Sequence, residues 1–197
     1  MNFLAHIYLS GDNDQIRIGN FMADSIKGKK YLKYPEDIQK GIILHRAIDF
    51  YTDTHPVFKE STQRLFKKYS HYSGIIVDIY YDHFLAANWR KYSNTPLESY
   101  SLDFYELLKK NLQILPAKVR HFLPYMVEDN WLLSYAEFDG IEKVLSGMNR
   151  RTGGKSGMHL ATNELREHYS EFQSEFEIFF EDVRKFSEKK LIEIVEK

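Results

Sequence analysis

Ile75-Ile76-Val77-Asp78-Ile79-Tyr80-Tyr81-Asp82-His83-Phe84-Leu85 reads as a helix buried nearly all round, starting at Ser73 or Gly74 and running to Trp89. Its only polar members are two aspartates four apart and one histidine. A spacing of four places Asp78 and Asp82 on the same helix face, and no Lys or Arg lies three or four residues from either. Two carboxylates beside an apolar surface demand a cation or a shared proton, because burial penalises the charged form. A bound divalent metal satisfies this, as would an arginine from elsewhere or a narrow stripe of solvent.

The segments on either side are helical too. Pro35-Glu36-Asp37 opens a helix to about Thr52, and Thr54 can cap a second with Pro56 in its first turn, ending near Tyr69. Thr95-Pro96-Leu97-Glu98 is a capping-box pattern that opens 96–112. Pro116 and Pro124 mark two short helices, and Asp139 caps one that ends near Met148. Arg151 to Gly157 is Gly-rich and is the longest predicted loop. From His159 to Val195, Leu165, Tyr169, Phe172, Phe176, Phe179, Phe180 and Val183 recur at spacings of three and four, the mark of one long amphipathic helix. No Asn-Gly or Asp-Gly lies between alternating runs; the flanks of Asp139-Gly140 both read as helix. The expectation is an all-α, single-domain helical bundle over 1–197, without repeat or linker, closing on a long amphipathic helix.

Composition agrees and excludes several chemistries. With 43% hydrophobic and 28% charged residues over 197 positions, the chain is globular and long enough for a sizeable core. Fourteen Phe, fourteen Tyr and two Trp must fill much of that core. There is no cysteine, which removes disulfides, thiolate nucleophiles and cysteine-bound zinc. Any metal must be held by carboxylates, imidazoles, amides and water, a ligand set that suits Mn, Mg or Fe as well as Zn. A net charge of −1 gives no sign of a nucleic-acid partner. No run approaches the roughly 20 apolar residues of a membrane span, and Met1-Asn2-Phe3-Leu4-Ala5-His6 lacks the features of a signal peptide. A cytoplasmic protein is expected, with no membrane partner, and oligomeric state is not written in the sequence.

A second set of polar residues lies in Gly41-Ile42-Ile43-Leu44-His45-Arg46-Ala47-Ile48-Asp49-Phe50-Tyr51-Thr52-Asp53. His45, Asp49 and Asp53 are four apart with Arg46 beside them, which could equally be the wet face of an amphipathic helix. A His-x3-Asp facing an Asp-x3-Asp across a bundle is how helical proteins build metal sites. His6 interrupts the apolar start, and Asp24 follows Gly19-Asn20-Phe21-Met22-Ala23; a satisfied core histidine and a surface carboxylate paired with Lys27 are the plainer explanations. The remaining histidines (55, 71, 121, 159 and 168) fall in loops or polar faces and are assigned nothing. If these groups hold a divalent ion, the chemistry that follows is hydrolysis, with a carboxylate or histidine relaying the proton. Arg46 and the basic segment Arg150, Arg151 and Lys155 could hold an anion. Gly153-Gly154-Lys155-Ser156 only mimics the tail of a phosphate-binding loop, because Asn149 stands where the first glycine is needed. No Gly-x-Ser-x-Gly elbow is present.

Met1-Asn2-Phe3-Leu4-Ala5-His6, Gly19-Asn20-x3-Asp24, His45-Arg46-x2-Asp49-x3-Asp53, Asp78-x3-Asp82-His83-Phe84-Leu85, Trp131-Leu132-x2-Tyr135 and Val144-Leu145-x-Gly147-Met148-x-Arg150 occur in one order. Together they resemble the acyl carrier protein phosphodiesterases over nearly the whole chain. The resemblance implies a distorted version of the helical HD phosphohydrolase fold, a family relation that includes the (p)ppGpp hydrolases. It implies a divalent metal, manganese foremost with magnesium or iron possible. It further implies removal of 4′-phosphopantetheine from the serine of holo-acyl carrier protein, a small, strongly acidic helical partner. One departure stands out: HD enzymes need an adjacent His-Asp pair, whereas here His45 precedes Arg46 and Asp82-His83 is reversed. The resemblance carries over Asp24, His45, Asp49, Asp78, Asp82 and His83 as a pool, with His6 beside them. Asp24, His45, Asp78, Asp82 and His6 are expected as metal ligands and Asp49 and His83 as catalytic groups, while Arg46, expected to be catalytic, and the anion-binding loop of Arg150, Arg151 and Lys155 rest on their charge. An HD-like phosphohydrolase acting on a nucleotide or other small phosphodiester, and a helical interaction module without catalysis, are the alternatives.

Overall fold

The computed structural model describes residues 2–196, and among them the chain folds into eleven α-helices joined by short 3-10 turns, with no strand. The helices are α1 (Phe3–Tyr8), α2 (Asp14–Met22), α3 (Glu36–Thr54), α4 (Pro56–Tyr69), α5 (Ser73–Ala87), α6 (Leu97–Lys110), α7 (Ala117–Glu128), α8 (Trp131–Ser134), α9 (Phe138–Arg151), α10 (Thr162–Glu167) and α11 (Tyr169–Val195). None is long and apolar enough to cross a membrane. The all-α expectation holds.

The apolar segment that opened the sequence analysis is α5, and it is the innermost helix. Ile76, Val77, Ile79, Tyr80, Tyr81, Phe84 and Leu85 are all inaccessible or nearly so. α11 packs across α3, α4 and α5, and its phenylalanines stack into that core. Phe176 lies 5.8 Å from Phe84 and 5.0 Å from Phe180, and Phe179 lies 5.1 Å from Tyr81, within the range at which rings attract beyond simple burial. Between α4 and α11, Glu175 of α11 takes the Ser61 hydroxyl and the Arg64 guanidinium of α4.

α2 and α3 are the most closely packed pair, and two glycines explain why. A Cβ built on Gly19 would lie 2.3 Å from the Ile38 carbonyl oxygen, and one on Gly41 would lie 2.2 Å from that of Ile16. The backbones touch at this crossing, so no side chain fits there. Asn20 follows Gly19 directly, and His45 lies one turn beyond Gly41. The crossing therefore brings those two residues together.

Several local expectations need correction. α4 begins at Pro56 as expected, but its N-cap is His55; the Thr54 hydroxyl bonds back to the carbonyls of Phe50 and Tyr51 within α3. The capping box at Thr95 does not form, because Pro96 is itself the N-cap and the Thr95 carbonyl accepts from the Trp89 indole. Glu137, not Asp139, occupies the N-cap of α9. Pro116 and Pro124 bound no pair of helices; α7 runs through Pro124, which is exposed, so the carbonyl one turn back faces water. The expected single C-terminal helix is three pieces: a turn at Met158–Leu160, α10 and α11, broken at His168. Lys68 and Tyr69 of α4 hold Glu164 of α10, which draws that turn away from the axis of α11. The Gly-rich loop is compact, with Ser156 bonded to both Asn149 and Thr152.

Candidate metal centre

Four elements meet around two histidines. α1 supplies His6, the end of α2 supplies Asn20, the turn after it supplies Asp24, and α3 supplies His45 and Asp49. The two imidazole rings stack 4.0 Å apart at 24° and are both buried. Asn20, wholly inaccessible, sits behind them. Its amide nitrogen donates to the His6 carbonyl at 3.0 Å and to Ser10 Oγ at 2.8 Å. That orientation leaves Oδ1 as the acceptor facing both rings, 2.8 Å from His6 Nδ1 and 3.0 Å from His45 Nδ1. The network thus assigns the proton of each neutral ring to Nδ1 and the lone pair to Nε2.

Both Nε2 atoms point at carboxylates. His45 Nε2 is 3.2 Å from Asp24 Oδ1 and 3.1 Å from Asp49 Oδ2. His6 Nε2 is 3.1 Å from Asp49 Oδ1, yet the approach is not aligned as a hydrogen bond, so this buried atom has no hydrogen-bond partner. In the metal-free protein the two rings divide their roles. Burial opposes charge on His45, but its hydrogen bonds to Asp24 and Asp49 override it and raise the imidazole to about 9. Burial, aided by the charge on His45, lowers His6 against the pull of Asp49. Burial would raise Asp49, but the hydrogen bond from His45 and the nearness of both imidazoles hold it far below the usual carboxylate range, and His45 lowers Asp24 likewise. One imidazole carries a proton; the other aims a lone pair at an anion. A cation between the groups would stabilise that second arrangement.

This is the test of fit for a divalent ion, and the residues pass it. One ligand atom each from His6, His45 and Asp49 lies within 4.8 Å of the others. Each imidazole has its far nitrogen fixed by Asn20, the outer support that metal-binding histidines need. The mixture of imidazole and carboxylate suits Mn, Fe or Zn. Asp24 and Asp49 also line a cavity of about 180 Å³ with Thr52, Asp53 and Asp78, so four carboxylates face one space with no cation among the lining residues. Burial, with Asp49 and Asp53 nearby, raises the Asp78 carboxyl.

Asp82, expected as a ligand, is turned the other way. It is inaccessible, and it accepts from the amides of Leu4 at 2.8 Å, Ala5 at 3.2 Å and Asn2 at 3.3 Å. α1 has no side-chain cap of its own, so Asp82 caps it from another helix and fixes His6 in place. His83, expected to be catalytic, is likewise absent from the cluster. Its Nδ1 lies 2.8 Å from the Tyr135 carbonyl and its Nε2 3.2 Å from the Tyr169 hydroxyl, among the rings of Phe84, Phe138 and Tyr169. Arg46, also expected to be catalytic, donates to the carbonyls of Ile26 at 3.0 Å and Gly28 at 2.8 Å and lies over Tyr31. It clamps the chain after Asp24. Arg150, Arg151 and Lys155 are exposed at the end of α9 and line no part of the acidic cavity; Arg150 borders a depression with Asp139, Glu142, Lys143 and Ser146. The residues brought together are therefore His6, Asp24, His45, Asp49 and Asp78. Asn20 is the site residue that the sequence does not single out; its burial and its place beside the Gly19 crossing are visible only in the fold.

The sequence model of the acyl carrier protein phosphodiesterase family matches residues 1–183. A protein of Photorhabdus laumondii named acyl carrier protein phosphodiesterase is 34% identical over 185 residues, 91% of each chain. Proteins of the same name from Yersinia pestis and Pectobacterium atrosepticum are each 31% identical, covering 98% and 91% of this chain and 100% and 94% of their own. No solved structure matches.

Proposed function

The chain belongs to the acyl carrier protein phosphodiesterase family and is a phosphodiesterase, and from that premise we propose that it hydrolyses the 4′-phosphopantetheine–serine phosphodiester of holo-acyl carrier protein with a divalent metal, manganese foremost. Magnesium or iron would serve the same ligands. The observation that carries the metal half is the shared Asn20 oxygen, which turns two buried imidazole lone pairs toward Asp24 and Asp49.

His6, His45, Asp24 and Asp49 would hold the ion. When bound, a divalent cation supplies positive charge to the phosphoryl oxygens and acidifies water at the site. This chain's own groups do the rest. Asn20 keeps both rings in one tautomer and at one angle, so neither must reorganise as charge develops. Water adds to phosphorus and the bond to the serine oxygen breaks, so a proton leaves the water and one must reach the serine. Asp78, whose carboxyl is raised by burial and which lines the cavity, is the group suited to take up and return a proton there. Asp53 adds negative charge to the same wall and favours a cation over an unassisted anion in the cavity.

The direct experiment is to incubate the protein with holo-acyl carrier protein and Mn²⁺ and to weigh the carrier by intact-mass spectrometry. Loss of the whole phosphopantetheine arm is the expected result. Retention of the arm with manganese, magnesium and iron alike would sink the proposal.

A further inference from the structure

We propose that the lysine-rich segment Lys27–Lys33, together with the exposed apolar stripe of α3 beside it, is the surface on which an acidic protein partner docks. The inference rests on the reading above, in which the scissile bond hangs from a carrier protein.

The segment carries Lys27, Lys29, Lys30 and Lys33, all exposed, and no acidic residue occurs between Asp24 and Glu36. Neighbouring cations are already paired, Arg17 with Asp14 and Lys40 with Glu36 and Asp37. The four lysines have no ion pair among the described residues. Leu32, 57% exposed, stands among them. The segment is a fixed shelf. Gly28 turns it at φ +56°, and Arg46 bonds to the carbonyls of Ile26 and Gly28 while covering the Tyr31 ring.

Arg46 also says which face of α3 the shelf adjoins. At about 100° per residue, Ile43, Ala47 and Phe50 fall within roughly 60° of one another, flanked by Arg46. Phe50 is 72% exposed and Ile43 36%. Phe50 is a bare phenylalanine on the helix that carries both the shelf's clamp, Arg46, and the site residues, and packing does not account for its exposure. The same helix sends His45, Asp49 and Asp53 into the site, so the stripe borders the cavity mouth. An acidic cavity repels a phosphodiester substrate at long range; four lysines in the segment that follows Asp24 would counter that field and orient an acidic partner. The occupant that fits is an acidic helical surface with one or two apolar side chains, which here is the carrier's. The basic end of α9 is the rival surface, but α9 packs on α5, α8 and α10, whereas the lysine segment directly follows the cavity residue Asp24 and is bonded to α3 through Arg46.

The test uses the full chain with three variants: Lys27→Glu/Lys29→Glu/Lys30→Glu/Lys33→Glu, Phe50→Ala, and Arg150→Glu/Arg151→Glu/Lys155→Glu. Steady-state turnover of holo-carrier is compared with hydrolysis of bis(p-nitrophenyl) phosphate, and binding of apo-carrier is read by fluorescence anisotropy. The lysine reversal is expected to raise KM and the apo-carrier Kd about tenfold or more, with the small diester still cleaved; Phe50→Ala should raise KM severalfold. Unchanged KM and Kd in the lysine variant overturn the inference, as does a loss confined to the α9 variant. Parallel loss of small-diester cleavage would also overturn it, since docking would not be what the lysines serve. Wild-type protein that binds anionic phosphatidylglycerol vesicles but no carrier would assign the shelf to a membrane and refute the proposal. Wild-type protein that binds carrier through the lysines yet leaves the arm in place would sink the phosphodiesterase reading and leave the docking surface standing.

Discussion

Replacing Asn20 with leucine should separate the support behind the two imidazoles from the imidazoles themselves. Asn20 makes four buried hydrogen bonds, two accepted from the Nδ1 atoms of His6 and His45 and two donated to the His6 carbonyl and Ser10. Leucine fills nearly the same volume and makes none. The Ser10 hydroxyl keeps its bond to the His6 carbonyl at 2.7 Å, so the donor side is partly covered. The acceptor side is not. Two buried N–H groups lose their partner at about 1–3 kcal/mol each, so a loss near 4 kcal/mol is expected. In a protein of this size that is roughly a 10 °C fall in Tm. Freed of Asn20, each ring can turn or change tautomer, and the outer support of a metal-bound histidine is worth about 10- to 100-fold in affinity. Asn20→Asp is the companion variant, because it keeps the acceptor and loses only the donors. It should stay within about 2 kcal/mol of wild type. Its added negative charge draws protons onto both rings, so Mn²⁺ binding weakens at neutral pH and recovers on raising pH. Calorimetric titration of Mn²⁺ into chelator-treated protein, with thermal unfolding alongside, reads both quantities. Wild-type Mn²⁺ affinity in Asn20→Leu would refute the reasoning, even if its Tm fell.

Other expectations follow from the same geometry. In metal-free protein His45 is raised to about 9, so its contribution to stability is complete below about pH 6.5 and fades as pH rises through 9; Asp49 is lowered, so its contribution holds above about pH 4 and fades on acidification. A metal must displace the His45 proton, so Mn²⁺ affinity should climb about tenfold per pH unit below 9, measured by titration in buffers of graded pH. Asp82→Ala leaves three amides of the first turn of α1 without an acceptor and should cost about 3–5 kcal/mol in denaturant unfolding, whereas Asp78→Asn should cost little stability and much activity. Gly41→Ala drives a methyl group into the Ile16 carbonyl and should cost at least about 3 kcal/mol, with the α2–α3 crossing opened enough to lower Mn²⁺ affinity; wild-type unfolding would contradict the contact.

Most of the fold was legible because helical periodicity is local. α3, α4 and α5 lie where apolar spacing, proline and glycine place them. What failed were features decided by contacts distant in sequence. The C-terminal stretch keeps an unbroken helical period through Leu165 and Tyr169, and nothing local forbids one helix. The break at His168 comes from α4, whose Lys68 and Tyr69 hold Glu164. Cap positions failed for a related reason. Thr54 and Thr95 have the right chemistry for caps, but proline geometry and nearby carbonyls made other residues the boundary, while Asp139 lies just inside α9, behind the N-cap Glu137.

The candidate site shows what spacing can and cannot decide. Asp78 and Asp82 share a face, as their spacing requires, but Asp78 is half-buried and only Asp82 is inaccessible. The spacing did not specify their partners. Asp78 meets the cavity, whereas Asp82 meets the first turn of α1, where three amides donate to it as a cap but offset only part of the burial, which raises its carboxyl to about 7. Since α1 lies some eighty residues earlier in the chain, no local pattern could reveal the pairing. Yet Asp82 still serves the centre: the helix it anchors carries His6. His6 in turn is buried with an unpartnered Nε2, the single atom in the cluster that the protein alone leaves unsatisfied. The plain reading of His6 as a satisfied core histidine is thus half true. Its Nδ1 is satisfied, by Asn20, and that bond is what directs the other nitrogen into the site.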